Sequence, residues 1–319
     1  MSRLRVVCVV IALLWATPLR AENRFALVIT GAPGGEAFIG TYSTWAQQLS
    51  SALAERLGFP ADHILMLSGT ATIEAQQSTQ QNVRAAIASL RRLVQKDDLL
   101  VIFLLGHGSV DDGLAKFNLV GPDLTSEEWG ALLADLPGRV VAVNTTGGSF
   151  PFLHDLAAHG RIVVTATQST VQRYDTVFPE QLIAALRDPA ADLDKNGRVS
   201  VWELFVRASK GVAEHFERQG LLPTERAVLD DTGDGTGIEA VGTGDDGALA
   251  RATYLERDAA AVDADPELTE LLGRRRGLEE QAERLKQRKP SMPIETWERE
   301  FEALMIELAR VSRRIRSRS

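Results

Sequence analysis

Residues 99–109 read Leu99-Leu100-Val101-Ile102-Phe103-Leu104-Leu105-Gly106-His107-Gly108-Ser109. The apolar run is too short for a typical globular helix and has no polar stripe, so it predicts a strand covered on both faces. It stops at a histidine held between two glycines. Working outward, similar apolar runs occupy 25–29, 63–67, 140–143 and 162–166, and helical periodicity fills 45–57, 82–94 and 127–133 between them. Helix-length connections join parallel strands. The expected fold is therefore α/β, a mostly parallel sheet covered by helices on both faces. In such sheets ligands gather beyond the carboxyl ends of the strands, so the residues that follow each strand are the first candidates for function.

The 319 residues, 45 % of them hydrophobic, suffice for one large or two modest domains around a packed core. A net charge of −8 speaks against nucleic acid as a partner. Arg3 and Arg5 precede an apolar run over 6–15, and the small Ala21 precedes Glu22. This predicts a signal peptide over 1–21 and a secreted or periplasmic protein; an uncleaved N-terminal membrane anchor is the alternative. No later stretch reads as a transmembrane segment. The single cysteine, Cys8, lies in that leader, so residues 22–319 carry neither disulfide nor thiol.

Two strand ends carry chemistry. The first presents His107, with small neighbours that leave room for a substrate. The second, after 140–143, continues as Asn144-Thr145-Thr146-Gly147-Gly148-Ser149, and its end should open onto the same crevice. A base and a nucleophile are expected at such places. From the residues alone, a histidine capping a turn beside a plain glycine-rich loop fits equally well.

This layout resembles the caspase and legumain clan of cysteine peptidases, in which a His-Gly follows one strand and an acidic-Ala-Cys follows the next. The resemblance covers roughly 24–208: an opening strand Leu27-Val28-Ile29, the turn Gly106-His107-Gly108-Ser109, the stretch 117–124 between histidine and nucleophile, and a strand end Thr165-Ala166-Thr167-Gln168-Ser169 similar to the legumain branch. It implies a caspase-like sheet with His107 at the catalytic histidine position. Asn144 then replaces the acidic residue, Thr145 the alanine and Thr146 the cysteine, while a slip of one residue puts Gly147 there. Neither register holds a sulfur. A thiol has a pKa of about 8.5 and so keeps some thiolate near neutral pH, whereas an alcohol must be deprotonated during attack. Threonine hydrolases commonly use their own N-terminal amine as base, and Thr146 is internal. The expectation is a pseudo-peptidase that binds a protein or peptide partner. The alternatives are a hydrolase using His107 with Thr146, or less readily Ser149, as nucleophile, and a structural, oligomerising envelope protein. His63, His107, His154, His159 and His215 form no tight pair of the kind zinc sites place on one helix.

Asp192, Asp194, Asn196, Arg198, Ser200 and Glu203 stand at places one, three, five, seven, nine and twelve of the segment 192–203, with Gly197 at place six. This is the EF-hand calcium-loop pattern. A hard cation wants six to eight oxygens; alternate side chains supply them, Arg198 gives its carbonyl, Gly197 allows the sharp turn and Glu203 closes the shell. Ca2+ is the expected ion, in a structural site, with an ion-free acidic turn as the other reading. A helix is expected to follow over 202–219, and Pro189 interrupts the entering one. The segment 230–235 starts in a similar way but has Val241 at place twelve, which fits a Gly/Asp turn.

The caspase-like domain is thus expected over 22–241. Residues 242–265, rich in Gly, Ala and Asp, read as a partly flexible linker. Over 266–319, Ile294, Trp297, Phe301, Leu304, Leu308, Val311 and Ile315 recur in steps of three and four, with a weaker seam from Leu268 to Leu285 and prolines 290 and 293 between. The expectation is a coiled-coil-like helical hairpin, with self-association as a further role. Arg274, Arg275, Arg276, Arg310, Arg313, Arg314, Arg316 and Arg318 make it locally basic, either as a solvated helix face or for an acidic partner or anionic lipid.

Overall fold

The computed structural model describes residues 22–70, 75–111, 113–256 and 265–318; the expected signal segment 1–21 lies outside them. The chain opens with β1 (Arg24–Thr30), α1 (Glu36–Ser51), β2 (Ile64–Ser68), β3 (Gln76–Gln77), α2 (Gln80–Leu93) and β4 (Leu99–Leu105). Three short strands follow, β5 (Gly108–Asp111), β6 (Leu114–Phe117) and β7 (Leu124–Thr125), then α3 (Ser126–Leu133), β8 (Arg139–Asn144), α4 (Phe150–Leu156) and β9 (Arg161–Thr165). Next come α5 (Phe178–Arg187), α6 (Val201–Arg218), β10 (Val228–Asp230), α7 (Ala248–Ala252), α8 (Pro266–Arg288) and α9 (Ile294–Arg316).

The main sheet has the strand order β10-β9-β8-β4-β1-β2-β3. All its pairings are parallel except that of β10, which runs antiparallel to β9. The apolar runs at 25–29, 63–67, 99–105, 140–143 and 162–166 are β1, β2, β4, β8 and β9, each within a residue at either end. Every residue of β1, β4 and β9 is buried, which is why these strands read as unbroken apolar runs rather than alternating ones.

Alternate residues feed two cores. On one face Ala26, Val28, Val101, Phe103 and Val143 meet α1, α5 and α6 through residues such as Leu49, Phe178 and Phe205. On the other, Leu27, Ile29, Leu100, Ile102 and Leu104 meet α2, α3 and α4 through Ile87, Trp129 and Phe152. Both faces are thus covered by helices, as expected. Local signals start several of them: Thr79 accepts the Asn82 N–H ahead of α2, and Thr125 with Glu128 closes a capping box ahead of α3.

The chain leaves β1 toward β2 by way of α1 on the first face, and reaches β4, then β8 and β9, by helices on the second. The direction of winding therefore reverses between β1 and β4, whose carboxyl ends form the crevice where an open α/β sheet binds its ligands. His107 follows β4 at this point.

The stretch 242–265 departs from the linker expected of it. Within its described part, α7 forms, and Ala248, Leu249, Ala250, Ala252 and Leu255 are buried. Asp231 fastens it, accepting Gly247 N–H at 2.7 Å on one oxygen and Ala250 N–H at 2.7 Å on the other. Small residues that carry little periodicity are here packing residues.

The C-terminal helices form the expected antiparallel hairpin. Leu268, Leu271 and Leu272 of α8 pack on Val311 and Ile315 of α9, and Trp297 Nε1 donates to Leu285 O at 2.8 Å. The hairpin is tied to the amino edge of the sheet. Arg139 pairs with Glu280 at 2.6 Å, Arg276 with Glu22 at 3.2 Å and Arg198 with Glu279 at 3.2 Å. Of the basic residues singled out above, Arg274, Arg275, Arg276, Arg310 and Arg318 all meet carboxylates of this chain. Among the described residues, no helix is long and apolar enough to cross a membrane.

Candidate functional site

His107 leaves β4 after Gly106, whose φ of +143° suits glycine alone, and the chain turns at once into the small β5-β6-β7 sheet. The ring sits between Phe38, edge-on at 4.5 Å, and Tyr42 at 5.6 Å. Burial, with Asp175 nearby, holds the Tyr42 phenol above its ordinary range. Nδ1 of His107 faces Asp175 Oδ1 at 2.8 Å, and Nε2 faces Pro33 O at 3.2 Å. Carboxylate and carbonyl oxygens can only accept, so each contact is a hydrogen bond where that ring nitrogen carries the proton, and both nitrogens face acceptors of this kind. The lone pair that a general base needs is then not offered to a nucleophile.

The second turn lies against the first, because β8 pairs with β4. A Cβ placed on Gly108 would lie 2.4 Å from Thr146 Oγ1 and 2.6 Å from Gly147 O, so only glycine permits the approach. The histidine turn and the Thr146 turn are therefore neighbours, as the strand ends implied. The second turn, however, does not line an open crevice in the described structure. Thr145, Thr146 and Ser149 are fully buried, and Asn144 nearly so. Thr146 gives both its N–H (3.0 Å) and its hydroxyl (2.8 Å) to Asn144 Oδ1. Ser149, the other alcohol considered, lies 3.1 Å from Thr167 Oγ1.

What covers the turn is the segment 166–177 between β9 and α5. Gln172 O accepts Gly148 N–H at 2.6 Å, and the Thr176 hydroxyl donates to Thr145 O at 2.5 Å. At the end of the segment, Val177 N–H donates to Glu225 Oε1 at 2.8 Å. Burial pushes the Glu225 carboxyl up to about 7, against the backbone bonds from Val177 and Phe178 that favour its charge. Asp175 and Glu225 escaped the sequence reading. They lie on loops with no periodic pattern, and only the position of Asp175 shortly after a strand marked it.

At the opposite edge of the sheet, α5 ends at Arg187, and the loop 192–203 leads into α6. Asp192, Asp194 and Glu203 bring carboxylate oxygens within 4.8 Å of one another. Lys195 and Gly197 take positive φ angles of 61° and 85°, which curl the loop. Asn196 N–H donates to Asp192 Oδ1 (3.1 Å) and Asp194 Oδ1 (3.0 Å), and Gly197 N–H to Asp192 Oδ2 (2.9 Å). Glu203 Oε1 accepts Leu193 N–H, and Oε2 accepts both the Ser200 N–H and its hydroxyl, each at 2.8 Å. Ser200 is thus the N-cap of α6 in a capping box, a role that its spacing from Glu203 also allows. The guanidinium of Arg198 stacks 3.6 Å above the Tyr254 ring and pairs with Glu279. Burial pushes the Tyr254 phenol up to about 12. The donor set is all oxygen, and Asp192 and Asp194 keep lone pairs beyond those spent on amides, while Glu203 already accepts four hydrogen bonds, from the Leu193 and Asp194 N–H groups and from the Ser200 N–H and hydroxyl, and would have to release some of them to join a hard cation.

The segment 230–235 is a hydrogen-bonded turn. Asp230 accepts Thr232, Gly233 and Gly235 N–H groups, and Asp246 accepts those of Asp231 and Thr232. Burial, reinforced by Asp230 and Asp231, pushes the Asp246 carboxyl up to about 7.

No family model matches the chain, and no curated protein matches it. Among solved structures it is similar to caspase-1 from Spodoptera frugiperda, at 10 % identity and a TM-score of 0.46, over 67 % of this chain and 88 % of that one. It is also similar to a structural-genomics protein from Geobacter sulfurreducens, at 15 % identity and a TM-score of 0.45, over 66 % of this chain and 93 % of that one. Neither likeness bears on the chemistry of the site.

Proposed function

We propose that this chain is an exported, caspase-like protein without peptidase chemistry, which holds Ca2+ at 192–203 and works by binding a protein or peptide partner. One observation carries the reading. The Thr146 hydroxyl, which stands at the expected nucleophile position, is buried and spent on Asn144, while His107 turns its nitrogens to Asp175 and Pro33. A hydrolase would need the alcohol exposed and bonded to its base. Partner binding is supported by exposed apolar side chains at the carboxyl edge: Val171 and Tyr174 on the covering segment, and Leu221 and Leu222 between α6 and Glu225.

The test is digestion of a peptide library by residues 22–319, with and without calcium. No cleavage is expected under either condition. Cleavage that disappears in His107→Ala would establish the hydrolase instead.

A further inference from the structure

The segment 168–176 is held down by polar bonds alone. Its two large apolar side chains point away from the protein: Val171 is 72 % exposed and Tyr174 78 %. Beneath it lies a floor of polar residues, Asn144, Thr145, Thr146, Ser149, Thr165 and Thr167, none more than 2 % exposed. The fastenings are Gly148 N–H to Gln172 O, Thr176 hydroxyl to Thr145 O, and Asp175 to His107. The fit is close: a Cβ on Gly147 would come within 2.3 Å of Tyr174 O.

A segment without apolar anchors, resting on a polar floor, belongs to the part of a fold that opens most readily. The floor itself supplies a reason to open. Asn144 Nδ2 is buried and has no hydrogen-bond partner. Its amide is not simply reversed, because Oδ1 accepts the Thr146 backbone N–H. A buried donor left unmatched is costly, and opening gives it water or a ligand acceptor.

We propose that 168–176 is a lid, latched to His107 by Asp175, and that its opening as a unit uncovers the polar floor 144–149. Asp175 is the latch because its bond is the one charge-assisted contact among the fastenings named, and it is 63 % exposed, open to competition from solvent. The lid is independent of whether the uncovered floor binds or reacts.

The chain lends itself to a direct test, since Cys8→Ala leaves no thiol and Thr146→Cys then introduces one under the lid. The measurement is the rate of alkylation by iodoacetamide in the folded protein, with Ala142→Cys in the core of β8 as reference. The Thr146→Cys thiol should react slowly, and addition of Asp175→Ala should speed it about threefold while leaving the Ala142→Cys rate unchanged. Ser149→Cys, also fully buried, serves if Thr146→Cys does not fold. Three results would overturn the lid: no acceleration by Asp175→Ala, equal acceleration at both thiols, or reaction of the Thr146→Cys thiol at the rate of a free thiol before the latch is touched.

Discussion

Asp175 Oδ1 lies 2.8 Å from His107 Nδ1, although the two residues are 68 positions apart in the chain. The pair joins the loop after β9 to the loop after β4 and sets the orientation of the imidazole. Because Asp175 is mostly exposed, the pair adds little to global stability, and Asp175→Ala is expected to cost less than about 1 kcal/mol in denaturant unfolding. A larger loss would make this contact a structural keystone.

Gly108 is the point where the two turns touch. Gly108→Ala would drive a methyl group against Thr146 and the Gly147 carbonyl, at distances that real Cβ atoms essentially never show. The expected loss is about 1–3 kcal/mol by chemical denaturation. Gly113→Ala, with open space around its Cβ but a positive φ, should cost less.

Glu225 predicts a dependence on pH. Its carboxyl is pushed up to about 7 by burial, from an ordinary 4.5. Between these values the folded protein keeps a proton that the unfolded chain has released. Its stabilising contribution is therefore complete below pH 4.5 and is lost as pH rises through 7, by up to ~3 kcal/mol. Glu225→Gln carries no such proton. The stability of the variant relative to the parent should rise between pH 5 and pH 8, and a difference that stays flat over that range would refute the assignment. Asp246, pushed in the same direction, contributes equally to both proteins and cancels from the comparison.

Glu203 has two separable roles. It accepts backbone bonds that close the loop and start α6, so Glu203→Ala should destabilise the calcium-free protein by about 1–2 kcal/mol. If it also closes a cation shell, calcium should raise the melting temperature of the parent and leave that of the variant unchanged. Calorimetry showing equal calcium uptake by both proteins would remove the site.

Arg139 and Glu280, 2.6 Å apart and largely shielded, fasten α8 to the start of β8. A double-mutant cycle with Arg139→Ala and Glu280→Ala should give a coupling of about 1 kcal/mol. Zero coupling would mean that the hairpin is held by its other contacts.

The layered fold was legible because its signals are local. Continuous apolar runs such as 99–105 have no stable place except between two layers, and helix-length spacings make such strands parallel. The short strands β5, β6 and β7, of two to four residues, and the antiparallel β10 are too brief to show a period. β10 forms on the free edge of β9, while β5, β6 and β7 pair only with one another. Residues 242–256 were misread for a related reason: alanine and glycine look featureless in sequence yet pack closely once a partner surface exists.

By itself, the sequence determined the alternation of buried strands and helices, the histidine turn after β4, the absence of any thiol from residues 22–319 and the spacing of oxygen ligands along 192–203, all written in runs or intervals of a few residues. Only the tertiary structure decided that Asp175 meets His107, that Thr146 lies buried beneath 168–176, and that Glu225 sits under the start of α5. These contacts join residues tens of positions apart, and a hydrogen bond closed by chain folding leaves no periodic trace in the chain that makes it.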